Sequence, residues 1–140
     1  MEAQAPAPGN RPTQPKIPQG TDIKIATAIV RGLKQPGKRE EIERWMTQNT
    51  VDIMGIQETH CAANSKEKRR EYSWYLNGTE EGNREFAGVG IIINNKWGKY
   101  VKDVIPHSHR IVELQLEGVA PISIVTVYAP QAGRTQTDKE

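Results

Sequence analysis

The 140-residue chain has one cysteine, Cys61, so it cannot form an internal disulfide framework and suits a reducing compartment. It lacks any apolar run approaching the roughly 18 residues of a membrane helix, which excludes a helical span. It also lacks an apolar stretch after Met1, where prolines, glutamines and alanines stand instead. A secretory signal is therefore not expected, and the chain is assigned to cytoplasm or nucleus. Neither sign of charge dominates: 19 lysines and arginines face 17 acidic residues, a net +2, too mild by itself to imply a nucleic-acid partner. Hydrophobic residues are scarce at 36%, below the usual range of about 45–50%, yet they are too regularly placed for a wholly disordered chain.

Five of the nine prolines fall within residues 1–22, with almost no large apolar side chain. That segment reads as a disordered Pro-rich tail, leaving residues 23–140 as the domain. From Ile23 to Val30 the pattern alternates as a strand, with Ile23, Ile25 and Ile29 on one face. After a glycine- and proline-punctuated loop, Ile42, Trp45 and Met46 predict a helix over Lys38 to Gln48, with Glu40 and Glu41 near its positive end. Val51–Ile56 predicts a second strand, completing a βαβ unit that leaves Glu58 at a strand exit, where open α/β sheets keep their chemistry. The stretch from Cys61 to Glu71 is polar and predicts no element. Four strand-like runs follow: Tyr72–Asn77, Phe86–Asn94, Arg110–Glu117 and Ile122–Ala129. Strands outnumber helices there, which points to a layered α/β fold rather than a doubly wound parallel sheet.

Few residues stand out chemically. A carboxylate at a strand exit such as Glu58 can hold Mg²⁺, a hard cation that prefers oxygen; a solvated carboxylate at a turn is the plainer reading of Gln57-Glu58-Thr59 alone. Tyr128 ends the last strand, where its phenol could donate to a phosphate oxygen or simply cap the core. The basic cluster Lys66, Lys68, Arg69, Arg70 runs into Tyr72, Trp74 and Tyr75. Cations beside aromatics are the composition of a nucleic-acid contact, and equally of a charged loop leading into a core strand. His107 and His109 lie two apart, but without the cysteine or carboxylate spacing of a zinc site.

Taken together, Ile25-Ala26-Thr27, Val30-Arg31-Gly32-Leu33, Asp52-Ile53-Met54-Gly55-Ile56-Gln57-Glu58-Thr59, Gly88-Val89-Gly90-Ile91 and Val127-Tyr128-Ala129-Pro130 resemble, in order and interval, the N-terminal half of the endonuclease/exonuclease/phosphatase superfamily. The similarity is greatest to the apurinic-type endonuclease domain of non-LTR retrotransposons. The resemblance implies a four-layer α/β/β/α sandwich of the DNase I type, truncated to its N-terminal half, that uses Mg²⁺ to hydrolyse phosphodiesters and nicks DNA. By position, Glu58 matches the metal-binding glutamate and Tyr128 the catalytic tyrosine that contacts the scissile phosphate. Ile29 stands where the family carries an active-site asparagine, and the family's later aspartate and histidine motifs would fall beyond the last residue, Glu140. Both departures lead to an expectation of inactivity. A non-catalytic nucleic-acid-binding module, or a phosphomonoesterase of the same superfamily, are the alternatives. Half a sandwich would also leave apolar faces bearing Ile91, Ile93, Ile124 and Tyr128 uncovered, which predicts self-association.

Overall fold

The computed structural model describes residues 14–78 and 88–129. Strand β1 (Ile25–Ile29) and strand β2 (Ile53–Gln57) pair in parallel, joined by helix α1 (Lys38–Gln48) as the crossover. Strands β3 (Ser65–Lys68), β4 (Tyr72–Asn77) and β5 (Val89–Asn94) add antiparallel, giving a five-stranded sheet of order β1-β2-β5-β4-β3. A 3₁₀ helix (Asn95–Tyr100) leads into strands β6 (Val101–Ser108), β7 (Ile111–Leu116) and β8 (Ile122–Val127), an antiparallel sheet of order β6-β7-β8.

The five-stranded sheet is apolar on both faces, so it is covered on both. Met54, Ile56, Trp74, Leu76 and Ile92 pack beneath Met46 of α1 and Val30 and Leu33 of the loop between β1 and α1. Ile53, Ile91 and Ile93, on the opposite face, pack against Val112, Leu114 and Leu116 of β7. This explains why β2 and β5 read as continuous apolar runs, whereas β7 alternates between buried and half-exposed positions. The described layers are thus helix, sheet, sheet.

Several expectations need correcting. Ile91, Ile93 and Tyr128 are buried, Ile91 and Ile93 almost completely, and Ile124 is half-buried, because the two sheets pack face to face and each covers the other's residues. Among the described residues the exposed large apolar side chains are instead Ile25 and Ile29 of β1, Trp45 of α1, Val119 before β8, and Val125 and Val127 of β8. Among the described residues no sheet covers the inner face of edge strand β1, and its isoleucines are more than half exposed. The tail boundary at residue 22 also shifts. Residues 1–13 lie outside the described residues, but Ile17 is buried, its N–H donates to the Glu117 carbonyl at 2.8 Å, and Gln14 Nε2 donates to the Val101 carbonyl. One isoleucine is enough to dock the segment on the second sheet.

Two strands carry no sequence signal. β3 is Ser-Lys-Glu-Lys, an edge strand whose side chains are mostly solvated, and β6 contains Pro106, which only an edge tolerates. Phe86 and Ala87, the start of a predicted run, lie outside the described residues, as does Pro130.

The second sheet carries an acid-sensitive contact. Glu113 on β7 is held down to a pKa of about 2, first by the His107 imidazole at 2.8 Å and then by hydrogen bonds from Gln115 and Ser123. A carboxyl lowered in the folded chain stabilises it above its ordinary value of 4.5 and loses that contribution as pH falls towards 2. Thermal melts across that window should therefore show a steeper fall in the parent than in Glu113→Gln. Equal slopes would remove Glu113 as the cause.

Candidate functional site

β2 leaves the sheet through an unusual turn. Glu58 (φ 58°) and His60 (φ 59°) both adopt the left-handed region, sparsely populated by residues other than glycine. Hydrogen bonds hold the segment from both sides. Val30, Gly32 and Leu33 donate their N–H groups to the carbonyls of Gln57 (2.9 Å), Glu58 (2.7 Å) and Thr59 (3.2 Å), and Thr59 N–H donates to the Gly88 carbonyl at 3.2 Å. Strained backbone of this kind persists only where the surroundings over-determine it, and it concentrates at functional sites.

β8 arrives from the other sheet. It approaches β2 closely because Gly55 has no side chain: a Cβ there would stand 2.6 Å from Thr126 Oγ1. Two residues further on, Tyr128 is anchored by its N–H to the Arg110 carbonyl at 3.0 Å, with the Arg110 guanidinium 5.9 Å from the ring centroid. Its hydroxyl donates to Glu58 Oε2 at 3.2 Å, a buried contact between residues 70 positions apart. Glu58 Oε1 lies 4.0 Å from His60 Nε2. The structure thus brings Glu58 and Tyr128 together, 7% and 9% exposed, at the seam of the two sheets.

Ile29 is the register partner of Gln57, one residue from Glu58, and its side chain is 57% exposed on the inner face. Beside it, Gln57 Nε2 donates to Thr27 Oγ1 at 2.9 Å. The isoleucine itself brings no polar atom to this rim.

The basic cluster is elsewhere. β3 lies three strand places from β2, about 14 Å across the sheet. Its register with β4 sets Lys68, and after it Arg69 and Arg70, at the opposite end from Glu58. Arg69 is bound into the fold, its Nε donating to Glu43 Oε2 at 2.8 Å and its Nη2 to Glu40 Oε1 at 3.0 Å. Lys66, Lys68 and Arg70 are exposed, with Lys66 Nζ 5.4 Å from the Tyr75 ring centroid. Tyr72 and Trp74 belong to the core under α1 and offer no stacking face.

Sequence reading missed the residues that shape the turn. Gly88 (φ 101°) gives Thr59 its room, since a Cβ at Gly88 would collide with Thr59 Oγ1. Asn77 Nδ2 ties the first sheet to the second through the carbonyls of Ser108 (3.1 Å) and Ile111 (3.3 Å). Only the glycine left a trace in the sequence, as the first residue of the Gly88-Val89-Gly90-Ile91 stretch that carries part of the resemblance.

The donor set suits a hard cation in part. Glu58 offers a buried carboxylate whose hydrogen-bond donor is a neutral phenol, and Mg²⁺ commonly binds through one or two carboxylates while keeping its waters. Among the described residues there is no group of three or more His, Cys, Asp or Glu side chains able to hold a metal ion.

No protein-family profile matches the chain. Its structure is similar to the crystal structure of the AP endonuclease LMAP from Leishmania major, with a TM-score of 0.61 and 19% identity over 82% of this chain. The chain spans 42% of the length of that protein. At this level the likeness concerns the fold: the helix–sheet–sheet layers match part of a DNase I-like α/β/β/α sandwich.

Proposed function

We propose that the chain carries one corner of a Mg²⁺-dependent phosphodiesterase site of the retrotransposon endonuclease type, acting on DNA, and that it does not turn over by itself. The observation that carries this reading is the buried Tyr128 hydroxyl–Glu58 carboxylate contact, made across two sheets at a strained strand exit. A carboxylate for a metal and a phenol for a phosphate oxygen are the groups such a reaction needs side by side. Bound Mg²⁺ supplies charge stabilisation to the phosphate. Glu58 is the residue that would hold it, and the turn fixes the direction of its carboxylate. Tyr128 has one proton to donate: it rests on Glu58 in the free chain and turns to a phosphate oxygen in the complex.

Inactivity follows from what stands beside the pair. Ile29 can neither donate to a phosphate nor orient a neighbour, and loss of one transition-state donor costs about 3 kcal/mol, roughly a hundredfold in rate. A positioned general base is worth about 10²–10⁴-fold, and among the described residues His60 is the candidate beside Glu58. The exposed Lys66, Lys68 and Arg70 support a second reading, a salt-sensitive contact with DNA phosphates on a surface separate from Glu58.

The test separates binding from turnover. Mn²⁺, used as a paramagnetic stand-in for Mg²⁺, is expected to broaden amide signals around Glu58 and Tyr128. Glu58→Gln should weaken that binding at least tenfold, while supercoiled plasmid stays intact with Mg²⁺. Absence of local broadening sinks the metal role; Mg²⁺-dependent nicking lost in Glu58→Ala sinks the claim of inactivity.

A further inference from the structure

Among the described residues three arginines are half-buried: Arg39, Arg69 and Arg110. The first two are neutralised. Arg39 pairs with Glu67 at 2.7 Å, and Arg69 with Glu43 at 2.8 Å and Glu40 at 3.0 Å. Arg110 makes no ion pair among the described residues. Its side chain turns to Tyr128 instead, with Nη1 donating to the Tyr128 carbonyl at 3.4 Å and the guanidinium 5.9 Å from the ring centroid. Its charge is felt nearby: the His109 imidazole is held below its ordinary value of 6.5, first by burial and then by Arg110. A partly desolvated cation without a counter-charge is costly unless an anion meets it.

The turn that carries Arg110 is tied to the turn that carries Glu58. Arg110 N–H donates to Ser108 Oγ at 3.1 Å. Asn77, 3% exposed, reaches over from the first sheet and donates to the carbonyls of Ser108 and Ile111, on either side of that turn. The Asn77 carbonyl lies 3.4 Å from where a Cβ on Gly88 would stand, the same point that Thr59 Oγ1 crowds. Thr59 N–H in turn donates to the Gly88 carbonyl. Contacts therefore run from Glu58 through Thr59, Gly88, Asn77, the turn and Arg110 to Tyr128, and the phenol closes the circuit on Glu58. A carboxylate, a phenol and a guanidinium are held in one fixed relation.

We infer that Arg110 is the phosphate-binding cation of this corner, taking a non-bridging oxygen of the DNA phosphodiester that the Tyr128 hydroxyl addresses. This rests on the proposed reading of Glu58 and Tyr128 as part of a phosphodiesterase site. The planar guanidinium keeps donors to spare after the one spent on the Tyr128 carbonyl, and its fork matches phosphate geometry. Its charge also offsets the repulsion that the Glu58 carboxylate exerts on an incoming phosphate. Lys66, Lys68 and Arg70 cannot take this part, because they belong to β3 and the turn after it, three strand places from β2.

A short DNA duplex, added to the full chain without metal, should shift the Arg110 Nε–Hε NMR signal. Arg110→Gln should weaken duplex binding about tenfold and lower the slope of log K against log salt by about one, whereas Arg110→Lys keeps the slope. Tyr128→Phe should add little to Arg110→Gln, since the two share a phosphate, while Lys68→Gln adds its effect in full. Mn²⁺ broadening around Glu58 should persist in Arg110→Gln. Broadening kept in the parent while DNA ignores Arg110 overturns this inference alone, and broadening absent from the parent overturns the metal reading. Should Arg110→Gln lose its circular-dichroism signature, the Nε–Hε shift in the parent decides. An unmoved signal means that another anion of the chain already holds Arg110, and it overturns the assignment, as would an unchanged salt slope or full additivity with Tyr128→Phe.

Discussion

Trp74→Ala is expected to lower the free energy of unfolding by about 3–5 kcal/mol, the range for deleting a fully buried aromatic side chain. Trp74 is 0% exposed beneath α1, in the cluster with Met46, Tyr72 and Leu76. Its indole N–H donates to Glu43 Oε2 at 2.7 Å, and the same carboxylate oxygen takes Arg69 Nε at 2.8 Å. Truncation therefore opens a cavity and strips a partly buried acceptor of its neutral donor. Trp74→Phe keeps most of the apolar area and removes the donor, so it should cost about 1–2 kcal/mol. Urea titrations of the three proteins give both numbers, and the ratio between them separates packing from hydrogen bonding. The same experiment weighs the nucleic-acid reading of the aromatic run. A stacking platform would lose DNA affinity at unchanged stability, whereas a core residue loses stability first. Domains of this size hold only about 5–15 kcal/mol in total, so the alanine variant is expected to be partly unfolded at physiological temperature.

That aromatic run marks where the sequence was informative and where it was not. Alternating strands with one buried face, and α1 with Met46 and Ile42 at the required spacing, are local patterns, and α1 falls over the residues that periodicity predicts. Glu58 and Tyr128 were visible as residue types at strand ends, but their meeting depends on Gly55 letting β8 close on β2, which no periodicity encodes. β1 was legible as an alternating strand, but alternation states which residues share a face, not whether another layer covers it; among the described residues none covers Ile25 and Ile29. β3 and β6 were missed because edge strands are selected for polarity, proline and irregularity, the features that make a strand look like a loop. The basic cluster divided for a similar reason. Arg69 is consumed in clamping α1 through Glu40 and Glu43, a use that composition cannot distinguish from waiting for phosphate.

Gly88→Ala is the sharper probe of the site, because it disturbs Glu58 without touching it. Gly88 sits at φ 101°, where a side chain is strained at any size, and its new Cβ would run into Thr59 Oγ1. The conformational and steric costs together should destabilise the chain by about 3 kcal/mol. The collision cannot be relieved cheaply: Thr59 is 0% exposed, its N–H is bonded to the Gly88 carbonyl, and its own carbonyl accepts from Leu33. Displacing Thr59 moves the left-handed residues on either side of it, Glu58 and His60, and so pulls the carboxylate away from Tyr128. Mn²⁺ broadening around Glu58 should then weaken at least tenfold even below the melting transition. The double variant Gly88→Ala/Thr59→Ala removes the colliding hydroxyl and leaves the backbone strain, so it should regain roughly half of the lost stability, a coupling that a thermodynamic cycle measures directly. Purely additive costs would mean that the two residues do not meet, and that the turn carrying Glu58 is held by something other than the gap left at Gly88.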